Sequence, residues 1–462
     1  MQASEILFDW VQSASDWLWG PPMLVLVLGT GLYLLWRLRA VQVTRFREGV
    51  RSLLEPPEGD GDISPFAALM TAVSGIVGNG NIAGVATAIT AGGPGALFWM
   101  WVSGVVGMGT MFAESVLGVQ YRRRDAKGQY IGGPMYYMAE RLGWKWIAGF
   151  FAFGMAFKSL LATTTVQSNS IASVVEAETG MAPLLVCAIV AVLTGLAVVG
   201  GVRTVSRVAG VLAPFMGALY LLGAFTVLAI FWREVPGAIG LVVEHAFTPI
   251  SAAGGFLGAG VREAFRFGVA RGVYSNEAGT GSVPIAHASA RTKDPVRQGS
   301  ISMLGVFIDT LVVCTATGLV LLVTGAWTSD LDSTALTAAS FSSGLGAAGG
   351  PIVLVASLLF GISTLIAWAF YGEQCAAYLF GPAARKPYRV LYCLAILGGA
   401  AATAQVIWAW GDLLNALVAI PNLVALVLLG REVWNLLGGG GEETAEVVRP
   451  APSPASVQED SG

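Results

Sequence analysis

Charge is what this 462-residue chain is short of, with 12% of its residues Asp, Glu, Lys or Arg, against about 25% in soluble globular domains. So few charges cannot clothe a water-facing surface of ordinary kind. Residues 1–36 contain no Lys or Arg at all, so there is no basic n-region and no cleavable signal peptide is expected. Histidine is scarce, with two residues, and the four cysteines Cys187, Cys314, Cys375 and Cys393 show no paired metal-ligand spacing. They read as structural thiols, and no cofactor motif is found. A net charge of −3 without a basic stripe leaves nucleic acid no electrostatic footprint.

What is present is apolar: 55% hydrophobic residues and a mean hydropathy of +0.68. Runs of about 18 or more residues with few charges read as membrane spans. They fall near 20–38, 64–90, 95–120, 146–176, 182–200, 208–232, 251–289, 299–325, 350–380, 388–407 and 410–430. The expected class is an all-α polytopic protein of eleven transmembrane helices in a lipid bilayer. Basic residues cluster in alternate loops, such as Arg37–Arg51, Arg122–Lys127, Arg291–Arg297 and Arg385–Arg389, whereas the other loops carry Arg233 alone. The positive-inside rule then puts the N-terminus outside and the C-terminus in the cytoplasm of a cell-membrane protein. Residues 132–143 read as an interfacial helix, and 432–462, rich in Gly, Pro and Glu, as a disordered tail.

Two spans carry their own breaks. The stretch 74–84, SGIVGNGNIAG, holds four glycines and two asparagines inside an apolar run. Glycine costs about 1 kcal/mol in a helix interior. Span 251–289 contains Arg262, Glu263, Arg266, Arg271 and Glu277. As one helix its 39 residues would be about 58 Å long, nearly twice the hydrocarbon core. Its break is expected at Tyr274–Gly281. With the first span set aside (1–60), five spans lie in 61–233 and five in 234–431. An odd number inverts the second half. Paired interruptions at matching positions of inverted halves mark a transporter site, where half-helix ends suit a carboxylate, an ammonium or a monovalent cation. Close helix packing is the alternative reading of Gly75, Gly78, Gly80 and Gly84; Asn79, Asn81 and the second break weigh against it.

Residues 74–101, 268–299 (GVARGVYSNEAGTGSVPIAHASARTKDPVRQG) and 365–374 (LIAWAFYGEQ) resemble the alanine/glycine:cation symporter family, and the resemblance extends over 60–430. It implies Na⁺-coupled symport of small neutral amino acids, alanine and glycine among them, on the five-plus-five inverted-repeat fold of neurotransmitter:sodium symporters. Carried over by motif, Gly78, Asn79, Gly80, Gln167, Tyr274, Ser275 and Trp368 would contact substrate, the Asn79 and Gly80 amides meeting its carboxylate. The carbonyls of Ser74 and Val77 with the hydroxyls of Ser363 and Thr364 would hold Na⁺, hard oxygen ligands for a hard cation. Trp368 would limit side-chain size. Departures from the family pattern are Ile76, Asn79, Thr280, Lys158 and threonines 163–165, and they bear on substrate preference and on the coupling ion, with H⁺ the alternative.

Asp309 lies within a span, where a carboxylate is costly. It either joins Asn81 in a second cation site or pairs with an arginine of the sixth core span, and pairing is favoured. Glu114 and Glu277 read as gate or packing partners, and Lys158 as snorkelling or paired. His245 and His287 are expected near opposite membrane faces. A channel, or an intramembrane protease built on Ser363 and His287, explains neither break. The chain is not expected to be an enzyme.

Overall fold

The computed structural model describes residues 2–248, 260–401 and 404–439. Helices Gln2–Leu18 (α1) and Pro21–Arg37 (α2) lead through two short helices, Val41–Thr44 and Phe46–Leu54, to Pro65–Ile76 (α3) and Ala83–Gly92 (α4). Then come Gly95–Gln120 (α5), the strands Arg123–Arg124 (β1) and Tyr130–Ile131 (β2), and Pro134–Arg141 (α6). Lys145–Lys158 (α7) passes through a π-helical turn, Ser159–Thr163, into Thr164–Thr179 (α8). Pro183–Val198 (α9), Val202–Ile230 (α10) and Val235–His245 (α11) follow. Next are Val261–Asn276 (α12), Val283–His287 (α13), and Pro295–Val306 (α14) joined by the π-helical Phe307–Cys314 to Thr315–Val323 (α15). Ser333–Leu345 (α16), Gly349–Phe380 (α17), Arg385–Ile396 (α18) and Ala404–Trp434 (α19) come last.

Local chemistry sets several boundaries. Ser64 Oγ accepts from the Ala67 amide at 3.1 Å with Pro65 opening α3, and Asp294 Oδ1 accepts from Val296 N at 2.8 Å with Pro295 opening α14. A capping oxygen takes an orphan N–H, and proline has none to lose. Gly180, at φ 71°, stops α8 in the left-handed conformation.

Among the described residues seven helices are long and apolar enough to cross a bilayer: Phe8–Arg37, Gly95–Gln120, Lys145–Thr179, Val202–Ile230, Pro295–Val323, Ser333–Phe380 and Ala409–Gly438. The pair Pro65–Ile76 and Asn79–Gly92, bent by 57°, makes an eighth. The other three expected crossings are less plain. α9 has 16 residues, α12 carries four of the five charges noted above and is followed by the five-residue α13, and α18 has 12 before a 3₁₀ turn at Leu397–Ala400. Residues 251–259 lie outside the described residues. The expected interfacial helix is α6. The antiparallel β1–β2 hairpin, Arg123 opposite Ile131 and Arg124 opposite Tyr130, qualifies the all-α expectation. Residues 432–439, expected in a disordered tail, instead continue α19 and end in a π-helical turn; 440–462 lie outside the described residues.

One apolar core joins α2, α3, α5, α7, α10, α14, α17 and α19. Burial runs opposite to that of a soluble domain. Glu114, Lys158, Glu277 and Asp309 are buried, while Leu196, Val211, Leu222 and Phe225 stand exposed on α9 and α10. An apolar belt that wide is stable against lipid, not water.

Candidate functional site

Both interruptions lie at the middle of the fold, and they meet. α3 ends at Ile76, the chain runs extended through Val77 and Gly78, and a 3₁₀ turn Asn79–Asn81 restarts the helix. Asn81 Oδ1 closes the break by accepting from Gly78 N at 2.9 Å. On the other side Glu277 adopts φ 59° and Gly279 and Gly281 φ 89° and 82°, with Asn276 Oδ1 accepting from Ala278 N at 3.0 Å. Tyr274 and Ser275, placed by sequence in the unwound stretch, are still in the last turn of α12; the break itself is 277–282. A Cβ at Gly80 would stand 3.6 Å from Tyr274 Cδ1 and 3.9 Å from Ser275 Cα.

α17 runs past the first break. Ser363 Oγ is 3.5 Å from Ser74 O and Thr364 Oγ1 is 3.3 Å from Val77 O. Oxygens held at about 2.4 Å by a hard cation sit about 3.4 Å apart at right angles, a spacing that each of these two hydroxyl–carbonyl pairs matches. Phe360 O, which sequence reasoning did not single out, lies 2.9 Å from Ser363 Oγ. It lies one turn before Ser363 on the same helix, but the direction of a carbonyl leaves no signature in side-chain types.

The central cavity is lined by Gly78, Gly80, Gln167, Tyr274, Ser275 and Trp368, six of the seven expected substrate residues, together with Gly75, Ile76, Lys158, Ala162, Thr163, Glu277 and Thr364. Its volume is about 20 Å³, room for about one water, so admitting an amino acid requires its walls to move apart. A wider recess of about 560 Å³ between α2 and α12 is lined by Leu24, Val25, Leu28 and Phe265 and holds none of these groups. Asn79 is the exception. Its backbone N–H and Nδ2 donate to Gln167 Oε1 at 3.2 and 3.0 Å, and its Oδ1 accepts from Ser357 Oγ at 2.6 Å. In this conformation the amide expected to meet a substrate carboxylate is held by Gln167.

Asp309, in the π-helical stretch, is fully buried. Asn81 Nδ2 donates to Oδ1 at 2.6 Å, Ser275 Oγ lies 3.0 and 2.9 Å from the two carboxylate oxygens, and Thr310 Oγ1 donates to Oδ2 at 2.8 Å. The favoured arginine partner is wrong. Arg271 of α12 makes a bidentate pair with Asp412 at 2.9 and 2.8 Å, and the donors around Asp309 are neutral. Cys314 Sγ is 3.3 Å from both Asn81 Nδ2 and Ser275 Oγ, an uncharged wall of the same cluster.

The remaining charges also find partners. Lys158 is paired rather than snorkelling: Nζ donates to Glu277 Oε2 at 3.0 Å and Asn415 Oδ1 at 2.6 Å. Glu114 Oε1 accepts from Asn422 Nδ2 at 2.5 Å and Gly281 N at 3.0 Å, bracing the second break. His287 is fully buried, its Nδ1 2.6 Å from Gln298 Nε2, whereas Ser363 bonds to Phe360 O and Met216 Sδ, so no serine–histidine dyad forms between them.

A family model described as the sodium:alanine symporter family matches residues 4–441. The sodium/alanine symporter AgcS of Methanococcus maripaludis is 42% identical over 91% of this chain and 94% of that protein. The probable sodium/glutamine symporter GlnT of Bacillus subtilis is 37% identical over 94% and 90%. The crystal structure of MhsT in complex with L-phenylalanine shares the fold, with a TM-score of 0.59 and 13% identity over 80% of this chain and 89% of that one.

Proposed function

The chain belongs to the sodium:alanine symporter family, and on that premise we propose that it carries small neutral amino acids, alanine and glycine first, across the cell membrane together with Na⁺ by alternating access. The observation that carries this reading is the approach of Ser363 Oγ to Ser74 O and of Thr364 Oγ1 to Val77 O at an interrupted helix, with Phe360 O beside Ser363. Helix ends freed from their own ladder supply the oxygens, as in transporters with broken helices. Coordination by these atoms makes Na⁺ the co-transported ion, and no other cofactor and no catalytic residue is invoked.

The substrate would enter the cavity between the breaks. Its carboxylate would take the Asn79 amide from Gln167 and meet the Gly80 amide beside it, and its side chain would face Trp368. Tyr274 and Ser275 close the opposite wall. Asp309, Asn81 and Ser275 supply a second cation position, since a buried carboxylate served only by neutral donors gains most from a cation. Above Tyr274, the Arg271–Asp412 pair, its guanidinium 5.7 Å from the Tyr274 ring, would shut the outer route. The topology of this reading is eleven spans, an N-terminal helix plus two inverted sets of five, with the N-terminus outside and the C-terminus in the cytoplasm.

Reconstitution tests it. Proteoliposomes given labelled alanine should accumulate it above the outside concentration when a Na⁺ gradient is imposed. Accumulation driven by a pH gradient without Na⁺ would move the coupling to H⁺, and equilibration without accumulation would mean a channel.

A further inference from the structure

Of the described lysines only Lys158 is buried; Lys127, Lys145, Lys293 and Lys386 are exposed. All three directions of its ammonium are used. Glu277 Oε2 lies at 3.0 Å, Asn415 Oδ1 at 2.6 Å and the centroid of the Trp368 ring at 4.3 Å. A cation over an indole face is attracted by the ring quadrupole, more strongly where water is excluded. The same ring donates Nε1–H to Gly75 O at 3.1 Å, and the Trp368 carbonyl accepts from Ser159 Oγ at 2.8 Å. Ser159 opens the π-helical turn that directly follows Lys158. The indole is therefore gripped at its edge by the first break and across its face by Lys158.

We propose that Lys158 is a positioning residue for Trp368, and through it fixes how large a substrate side chain the cavity accepts. A buried ion pair is weak evidence for stability, because apolar residues of similar volume commonly pack as well; a better-attested use is to specify one arrangement over its rivals. Here the pair joins α7 to the left-handed Glu277 at the second break and presses the ring against the first. Without the ammonium the indole keeps its Nε1 bond and its edge contact with Tyr371, but nothing holds its open face, and it can tilt from the cavity. The inference rests on the symport reading above, with Trp368 facing the substrate.

The test is competition by glycine, alanine, glutamine, valine and leucine against labelled alanine uptake in proteoliposomes. Lys158→Met keeps most of the stem and removes the charge. Lys158→Met with Glu277→Gln removes both charges, so that no lone carboxylate is left buried. In either variant leucine should compete about tenfold or more better relative to alanine, the scale of discrimination a hydrophobic pocket achieves. Lys158→Arg, which keeps a cation able to stack on the ring, should restore the original ranking. Added to Trp368→Ala, Lys158→Met should relax the ranking no further, because residues acting through one another are not additive. An active double-charge variant with the original ranking would overturn the positioning role alone, as would full additivity with Trp368→Ala. An unmodified protein that takes up none of these amino acids would overturn the symport reading and this inference with it.

Discussion

Gly78 illustrates how one missing methyl sets a site. A Cβ there would lie 2.6 Å from Thr364 Oγ1 and 3.1 Å from Gln167 Nε2, so glycine is required by close approach rather than by backbone conformation. Gly78→Ala should cost about 1–3 kcal/mol of local strain and most of the alanine uptake, while Gly84→Ala, with nothing within 4 Å, should leave both uptake and melting temperature near the original. Uptake beside a thermal melt in detergent separates the two. Ser363 and Thr364 carry a second expectation. Contacts to a charged group are each worth about 1.5–3 kcal/mol, so Ser363→Ala with Thr364→Ala should weaken Na⁺ dependence at least a hundredfold in a protein that still folds. A double variant with unchanged Na⁺ dependence would remove the cation from this place.

Among the elements, the breaks and the loops that brace them matter most. The β1–β2 hairpin ties the end of α5 to α17 and α18: Arg385 Nη1 lies 2.7 Å from Asp125 Oδ2, and Arg389 grips Glu373 with bonds of 2.6 and 2.8 Å. Burial raises the Asp125 carboxyl, but Arg385 and the amides of Gln129 and Lys127 outweigh it and hold the group below its ordinary 3.8. A carboxyl depressed in the folded state adds stability above its unfolded value, and that contribution is lost as pH falls through the folded one. Asp125→Asn should therefore melt at a lower temperature than the unmodified protein at pH 7, with the gap closing below about pH 4. A gap that does not narrow as pH falls below about 4 would mean that the hairpin is held by something other than this carboxylate. Sequence pattern had indicated an interfacial helix at 132–143, which is α6, but not the hairpin before it, because two-residue strands are too short for alternation to register.

For the whole molecule, the balance of charge decides how transport responds to voltage. Lys158 and Glu277 cancel each other, and a neutral amino acid brings no net charge. Each Na⁺ that accompanies it then carries one charge across. One elementary charge moving through about 100 mV is worth roughly 2.3 kcal/mol. That corresponds to about 50-fold accumulation at roughly 1.4 kcal/mol per tenfold. An inside-negative potential imposed at equal Na⁺ should raise the plateau of alanine uptake. A plateau indifferent to potential would require a counter-charge moving on Asp309, Glu277 or Lys158.

Residue order alone determined that this chain is a membrane protein, where most of its spans lie, and that two of them are interrupted. Hydropathy, helix length and the cost of glycine are local quantities that accumulate along a chain and can be read from it. Ser363 and Thr364 came from the family resemblance rather than from residue order, since successive side chains on a helix point about 100° apart and only packing sets them beside the carbonyls of Ser74 and Val77. The partners of the buried polar groups were decided only by tertiary structure. Asp309 meets Asn81 across 228 positions, and Asn79 meets Ser357 across 278. Pairings of that kind depend on which helices pack together and on how each is rotated about its axis. Arg271 had carboxylates to choose between by sequence, and packing gave it Asp412. In a low-dielectric interior every buried donor and acceptor must be satisfied locally, so the arrangement of the helices, rather than the spacing of residues along them, settled the chemistry at the centre.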